Sequence, residues 1–230
     1  MQVGILFSGG KDSVYAIDYC LKKGYEIKWL LTIKPNRVDC YLFHFAMTEH
    51  AEEIAKAIGL PHFTATCEVA DAASEAEIVK RAIEKLNGVD ALVLGGVGLQ
   101  ETQIKTLNKV LGIKVFAAHN GAEHENIMRE MIANGYKFMI VQIASDGLNE
   151  AWLGKIIEDE TTLNQLLNQS KKFGFHCGGE GGYYDTFVLD GPIFKYALEI
   201  SNYQKVMESP ICGHLKVKEI KKLIKQSARY

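Results

Sequence analysis

The sequence predicts an α/β protein in which helices cover both faces of a parallel sheet, followed by a smaller α+β domain at the C-terminus. Two observations predict this class. Short apolar runs alternate with amphipathic helical patterns over the first 120 residues, which favours parallel strands joined by helices. Beyond Asn120-Gly121 that alternation stops. We therefore place a soft boundary there and predict domains at 1–120 and 121–230.

The first strand and the first helix flank an unusual turn. Residues 3–7 form a short apolar run typical of a strand that is buried on both faces. From Asp12 onward, apolar residues recur three and four positions apart, which predicts a helix that stops at Gly24. The segment GILFSGGKDSVYA, residues 4–16, thus spans a strand, a turn and the start of a helix.

The strand–helix unit then repeats along the first domain. Four further strands are predicted at 27–33, 62–66, 91–94 and 115–117, and helical patterns centre on 51–58, 79–86 and 104–111. Right-handed crossovers bring the loops after parallel strands to one edge of the sheet, where ligands bind. We expect the segments 8–13, 32–34 and 95–98 to face one crevice there.

The second domain has a different pattern. We predict a helix at about 123–134, a strand at 138–143, a polar helix at about 161–172 and a strand at 186–189. The segment 216–230 is strongly basic, and Glu219 is its one acidic residue. A solvated helix is typical of such a basic tail, and docking of a partner protein or of its bound RNA is the alternative.

The composition excludes several classes of function. Of the 230 residues, 47% are apolar, enough for a core that needs no metal or disulfide. Twenty-six basic and 28 acidic residues give a formal charge of −2, so we expect no general attraction to nucleic acid or to an anionic membrane. Since neither a charged-then-apolar leader nor an apolar stretch of about 18 residues is present, we predict a cytoplasmic protein without a membrane partner.

The cysteines and histidines lack the spacing of a ligand set. No C-x-x-C pair occurs among Cys20, Cys40, Cys67, Cys177 and Cys212, which favours reduced, partly buried thiols over a zinc site or disulfides. Cys177 is the first candidate for a reactive thiol. We expect surface positions for His119, His124 and His176.

The turn in the opening segment, S-G-G-K-D-S, has the composition of an anion site. It matches neither G-x-x-x-x-G-K-[ST] nor G-x-G-x-x-G. Its glycines let successive backbone amides turn toward an anion at a helix N-terminus, and its hydroxyls and ammonium add donors. Asp12 suits either a helix cap or a ligand of Mg²⁺. The residues of the turn are Ser8, Gly9, Gly10, Lys11, Asp12 and Ser13.

This turn resembles the S-G-G-x-D-S loop of the PP-loop ATP pyrophosphatases, whose nucleotide-binding domain is Rossmann-like, of the HUP class. The resemblance implies that the loop grips the pyrophosphate end of ATP, with Lys11 and Asp12 as catalytic residues and Asp12 beside Mg²⁺. It places Gly95 and Gly96 near the nucleotide. ATP would be cleaved between the α and β phosphates, and AMP, once attached to a carboxylate or carbonyl-type oxygen, would be displaced by an amine, ammonia or sulfur nucleophile. Dense donors suit a loop that stabilises a pyrophosphate leaving group.

A second glycine-rich segment, GEGGYYDTFVLDGP at 179–192, also suits a ligand. Gly181 and Gly182 permit a positive φ or the close approach of a ligand. Glu180 and Asp185 add carboxylates, which suit a metal, an ammonium ion or a protonated amine. A glycine-rich hairpin before a strand is the alternative.

Together, the two glycine-rich segments resemble the signatures of the diphthine–ammonia ligase family. The second signature of that family runs G-E-G-G-E-[YF]-E-T-x-V-L-D-x-P-x-F, and DGLNEAWLGK at 146–155 is similar to its G-L-D-x-x-W-L-G-[RK] stretch. The resemblance covers residues 1 to about 200. It implies that ATP adenylates the carboxylate of diphthine on translation elongation factor 2, and that ammonia displaces AMP to give diphthamide.

The same resemblance implies the residues on the acceptor side. Glu180 and Asp185 would be catalytic. The substrate-binding residues would be His44, Trp152, Gly154, Gly181, Gly182, Tyr183 and Thr186. The implied cofactors are ATP and Mg²⁺, and the implied partners are elongation factor 2 and ammonium. No direct nucleic-acid contact is expected, and a homo-oligomer is left open.

This chain departs from the family pattern at several positions, among them Phe45, Ala46 and Met47, where the family usually has polar residues after its histidine. Tyr183 stands where the family has a second glutamate, Asp185 is one methylene shorter than the family's acid, and Asn120 replaces a tryptophan. These departures concern the acceptor and leave ATP activation little affected. Two alternatives stay open: a PP-loop enzyme that modifies transfer RNA, and an ATP-binding sensor without turnover.

Overall fold

The computed structural model describes residues 1–36, 47–86, 88–98 and 101–225. These residues group into two compact units. The first comprises Met1–Ala55 and Leu60–Glu123, and the second comprises Lys56–Gly59 and the residues from His124 onward. Within the described ranges, no helix has the length and the apolar character needed to cross a membrane.

The first unit is built on a five-stranded parallel sheet. Its elements are β1 (Gln2–Leu6), α1 (Lys11–Lys22), β2 (Glu26–Pro35), α2 (Ala51–Ile58), β3 (His62–Cys67), α3 (Ala72–Ile83), β4 (Ala91–Leu94), α4 (Glu101–Leu111) and β5 (Lys114–Ala117). The strand order is β3-β2-β1-β4-β5, and every pairing is parallel. The direction of winding reverses between β1 and β4, where open α/β sheets bind ligands.

Helices cover both faces of this sheet. On one face, Trp29, Leu31 and Ile33 of β2 pack with α3 and α4. Leu6 of β1 packs on that same face, so Ile5, which is fully buried, projects to the other, because side chains alternate along a strand. The helix α1 packs against β1, β2 and β4. Each large side chain buried in this way contributes about 1.5–3 kcal/mol. The predicted α/β class is confirmed.

The second unit combines an antiparallel sheet with two helices. Its elements are α5 (His124–Ala133), β6 (Lys137–Ala144), β7 (Ile156–Ile157), α6 (Glu160–Phe173), β8 (Tyr184–Asp190), β9 (Ala197–Ser209) and β10 (Cys212–Leu223). The strand β6 pairs with β7, β8 and β10, and β9 pairs with β10. The helices α5 and α6 contact each other. This is the α+β architecture that the sequence predicts for the C-terminal part.

The basic C-terminal segment is a strand as far as Leu223, so the predicted solvated helix is wrong. Val217 and Ile220 lie three positions apart, a spacing typical of a helix face. In the structure, β10 pairs antiparallel with β9, and its register shifts on either side of Glu219. The extra residue of a β-bulge lets side chains three positions apart share one face of a strand.

The loop predicted at 32–34 is part of β2. The strand continues to Pro35, because β3 pairs with it up to the position where Pro35 lies opposite Cys67. Thr32 is fully buried, and its hydroxyl donates to the carbonyl oxygen of Phe7 at 2.6 Å. Thr32 therefore ties β2 to the end of β1, and its predicted position on the crevice is wrong.

Candidate active site

The loop between β1 and α1 carries the predicted anion-site motif. Gly9 has a φ of 81°, a left-handed conformation that favours glycine. Gly10 is the N-cap of α1, with extended backbone and no side-chain hydrogen bond to the cap. Asp12 lies in the first turn of the helix, so its interpretation as the helix cap is wrong. A carboxylate at that position complements the positive end of the helix dipole.

The two serines of this loop brace its turn. The Ser13 hydroxyl donates to the carbonyl oxygen of Gly10 at 2.9 Å, and the hydroxyl oxygens of Ser13 and Ser8 lie 3.2 Å apart. The Gly10 amide donates to the Ser8 hydroxyl at 3.2 Å. The serines that the sequence suggests as anion donors thus also hold the conformation on which an anion site would depend.

Lys11 and Asp12 form an ion pair at the start of α1. The Lys11 ammonium lies 2.7 Å from an Asp12 carboxylate oxygen, and the two side chains are 3% and 24% exposed. A lysine is almost never this deeply buried unless it is paired. The ammonium is therefore enclosed in protein, whereas the carboxylate stays partly accessible to a cation.

Gly95 brings the loop after β4 against the first turn of α1. A Cβ at Gly95 would lie 2.5 Å from the carbonyl carbon of Asp12 and from the amide nitrogen of Ser13. Only glycine fits so close to another backbone. Gly96 follows with a φ of 80°. The structure therefore brings two of the predicted nucleotide-side segments together.

His119 joins this region although the sequence suggested a surface position. Its imidazole is half-buried and stacks on the Tyr15 ring, with centroids 4.9 Å apart and planes 15° apart. Its edge meets Tyr19, with centroids 5.3 Å apart. The His119 amide donates to the carbonyl oxygen of Gly96 at 3.2 Å. The one sequence signal for this position was that His119 lies two residues after the end of β5.

The second glycine-rich segment forms a tight turn before β8. Gly179, Gly181 and Gly182 have φ values of 80°, 95° and 83°, which residues with a Cβ rarely adopt. The Gly182 amide donates to the carbonyl oxygen of Gly179 at 3.2 Å. The half-buried Glu180 lies within this turn. The sequence therefore needs its glycines here for backbone geometry.

The residues after that turn enter β8. Tyr183 is half-buried, and its ring lies 3.4 Å from where a Cβ of Gly181 would be. Asp185 is half-buried and opposite Gln142 of β6, while Thr186 is buried. The segment thus combines the two candidate carboxylates, an aromatic ring and a hydroxyl along one short stretch of chain.

His124 packs against Gly178, just before the same turn, and is buried, so its predicted surface position is wrong. It is 4% exposed. A Cβ at Gly178 would lie 2.3 Å from an imidazole carbon of His124, and the ring meets His176 edge to face with centroids 5.2 Å apart. The Tyr184 hydroxyl donates to the carbonyl oxygen of Cys177. The imidazole therefore occupies space that Gly178 leaves open.

Trp152 and Gly154 pack within the second unit. Trp152 is 7% exposed, and the Lys155 ammonium lies 4.2 Å from its ring centroid. A Cβ at Gly154 would lie 2.6 Å from the Tyr203 hydroxyl of β9. The contacts described for these two candidate substrate-binding residues are thus packing contacts. The remaining candidate, His44, lies outside the described residues.

Burial shifts the pKa of a thiol on α1, and ion pairs shift the pKa of a carboxylate on α5. Burial raises the pKa of the Cys20 thiol on α1 to about 12, so this thiol stays protonated and unreactive. On α5, hydrogen bonds from Arg129 and then from Lys171 lower the pKa of Glu125. The four cysteines that fall within the described residues are thiols outside any disulfide, as the sequence predicts.

Family models match both parts of the chain. The model of the diphthamide synthase N-terminal domain matches residues 1–115, and that of the C-terminal domain matches residues 123–223. The diphthine–ammonia ligases of Mus musculus and Homo sapiens are each 30% identical over 91% of this chain and 86% of their own length. That of Schizosaccharomyces pombe is 27% identical over 95% of this chain and 39% of its own length.

One solved structure overlaps this chain loosely. It is a predicted subunit of tRNA methyltransferase from Methanocaldococcus jannaschii, 19% identical, with a TM-score of 0.43 over 84% of this chain and 98% of the other. An overlap of that size carries no argument about function.

Proposed function

Because the chain belongs to the diphthamide synthase family, we propose that it is an ATP-dependent ligase that converts the carboxylate of diphthine, on translation elongation factor 2, into the amide of diphthamide. This proposal is carried by the match of both parts of the chain to the diphthamide synthase domain models, together with diphthine–ammonia ligases that are 30% identical over 91% of this chain. A cytoplasmic location and the absence of a nucleic-acid partner remain predictions.

In this proposal the two parts of the chain bind different substrates. Residues 1–120 hold ATP, and residues 121–230 hold the acceptor. The order of the parallel strands supports the first assignment, since β1 and β4 flank the switch point of the sheet. The packing of Gly95 on the first turn of α1 supports it as well.

In the first step, a carboxylate oxygen of the acceptor attacks the α phosphorus of ATP. A bond to that phosphorus forms, the bond to the bridging oxygen breaks, and pyrophosphate leaves with the negative charge. The ATP-binding residues are Ser8, Gly9, Gly10, Lys11, Asp12, Ser13, Gly95 and Gly96. Donors placed where charge develops are the largest contribution in such steps, which explains why the loop combines backbone amides, hydroxyls and an ammonium.

Asp12 is the residue that would hold Mg²⁺. Its carboxylate is a hard oxygen ligand that is partly exposed, and Mg²⁺ in nucleotide sites takes one or two carboxylates together with substrate phosphates. The donor chemistry therefore fits the ion. When bound, Mg²⁺ offsets charge on the phosphates.

In the second step, ammonia attacks the acyl carbon of the adenylate. The carbon–nitrogen bond forms, the carbon–oxygen bond to AMP breaks, and nitrogen loses a proton. Glu180 and Asp185 are the catalytic candidates, since carboxylates accept hydrogen bonds from ammonium and take up such a proton. The proposed substrate-binding residues are His44, Trp152, Gly154, Gly181, Gly182, Tyr183 and Thr186.

A reconstituted reaction tests the proposal. The protein is incubated with diphthine-bearing elongation factor 2, ATP, Mg²⁺ and ammonium, and nucleotides and the modified residue are quantified. We expect one AMP for each amide formed, and no product from factor that carries unmodified histidine. ADP in place of AMP would overturn the mechanism. ATP binding without turnover would point to the sensor.

A further inference from the structure

The Lys11–Asp12 ion pair lies inside the loop that would bind a metal–pyrophosphate complex. The two charged groups are 2.7 Å apart. In such a complex the ammonium would contact phosphate oxygens, while the carboxylate would contact the metal ion. Each residue's partner in the structure therefore competes with its proposed ligand. A phosphate must compete with Asp12 for Lys11, and a cation must compete with Lys11 for Asp12.

The difference in exposure makes this competition unequal. The Lys11 side chain is 3% exposed and the Asp12 side chain 24% exposed. Removing the carboxylate from an enclosed ammonium is unfavourable unless another anion replaces it. The ammonium also lies at the positive end of the α1 dipole, which adds to the need for a negative partner.

We propose that the Lys11–Asp12 pair couples metal binding to pyrophosphate binding, because each ligand releases the residue that binds the other. A divalent cation that binds the Asp12 carboxylate removes the competition between Asp12 and phosphate for the Lys11 ammonium. A phosphate that binds Lys11 likewise removes the competition between Lys11 and the cation for Asp12. This coupling rests on the proposed function, in which the loop binds the pyrophosphate end of ATP. It goes further, since it makes each single ligand bind weakly and both together bind tightly.

Calorimetry with inorganic pyrophosphate tests the coupling in a double-mutant cycle. Without metal, Lys11→Gln made in the wild-type protein should change the affinity for pyrophosphate by less than about threefold. In the wild type the Lys11 ammonium is paired with Asp12 and contributes little to pyrophosphate binding. In the Asp12→Asn background the same change should weaken binding of pyrophosphate by about tenfold or more, since the Asp12 carboxylate no longer competes with the phosphate for the Lys11 ammonium. Equal losses in the two backgrounds would overturn the coupling.

Binding of Mn²⁺ alone provides an arm that does not need Asp12→Asn to fold. Lys11→Gln should tighten Mn²⁺ binding by about tenfold relative to the wild type, because the carboxylate no longer has its ammonium partner. Unchanged or weaker Mn²⁺ binding would contradict the proposal. Circular dichroism and thermal unfolding confirm that each variant is folded.

The chain offers a matched control on the same helix. Asp18 and Lys22 also form an ion pair of 2.7 Å. Asp18→Asn and Lys22→Gln should therefore leave the affinities for pyrophosphate and for Mn²⁺ unchanged. If they reproduce the effects at Lys11 and Asp12, net charge explains the data and the coupling is wrong. If no variant binds pyrophosphate even with metal, the proposed function fails, and the coupling fails with it.

Discussion

Replacing Gly95 with alanine should disable the ATP site while leaving the protein folded. The new Cβ would lie 2.5 Å from the Asp12 carbonyl carbon and the Ser13 amide nitrogen, and 2.7 Å from the Asp12 carbonyl oxygen. An ordinary van der Waals contact begins at 3.4 Å. All three atoms belong to the backbone, so no side chain can rotate away. The first turn of α1, with Asp12 and Ser13, must shift by about 0.9 Å relative to the loop after β4.

The size of this shift sets the expected effects. Overpacking of this kind costs about 1–3 kcal/mol of stability, which lowers the unfolding temperature by roughly 2–12 °C in a chain of this length. A displacement of about 1 Å in a catalytic group can cost about 100-fold in rate. We therefore expect the rate of exchange between pyrophosphate and ATP, measured with acceptor present, to fall by about that factor.

A glycine in open space provides the control for Gly95→Ala. Among the described residues, and apart from its chain neighbours, a Cβ at Gly88 would meet no heavy atom within 4 Å, and the residue has no left-handed φ. Gly88→Ala should therefore keep both the unfolding temperature and the exchange rate. Full exchange activity in Gly95→Ala, despite the lowered unfolding temperature that the clash predicts, would refute the assignment of this contact to the ATP site.

Three further predictions concern other residues. Glu180→Gln should abolish amide formation, measured by mass spectrometry, while ATP still binds; unchanged ligation would remove this carboxylate from the site. Iodoacetamide near pH 8 should leave Cys20 unmodified in the folded protein, because burial holds its pKa at about 12; rapid labelling in a peptide digest would contradict that. Glu125, whose pKa Arg129 and Lys171 lower, should stabilise the wild type over Glu125→Gln near neutral pH. That advantage should vanish as the pH falls below the ordinary glutamate value of 4.5 and through the lowered pKa; an equal difference in unfolding temperature near pH 3 would exclude the ion-pair explanation.

Local patterns predicted the first unit well. The strand at Ala91–Leu94 begins and ends where its apolar run does, because a run of that length between polar neighbours suits a strand buried on both faces. Strand order is a property of non-local pairing, so the alternation of elements alone leaves it open. The S-G-G-K-D-S turn could be placed from the sequence because the apolar period changes across it.

Long-range contacts explain what the sequence missed. A buried His124 cannot be inferred from its polar neighbours, because the space for its ring comes from Gly178, far along the chain. The β-bulge in β10 imitates a helical spacing at Val217 and Ile220. The half-buried position of His119 could not be inferred either, since it depends on stacking with Tyr15 of α1, far from His119 in the sequence.

The adenylation of the acceptor is the central claim, and isotope transfer tests it most directly. Diphthine whose carboxylate carries heavy oxygen is converted in the presence of ATP, Mg²⁺ and ammonium, and the AMP is analysed by mass spectrometry. The account predicts that each AMP carries one labelled oxygen, because the carboxylate oxygen that attacks the α phosphorus stays on AMP when ammonia breaks its bond to carbon. Unlabelled AMP, or ADP together with labelled inorganic phosphate, would contradict it.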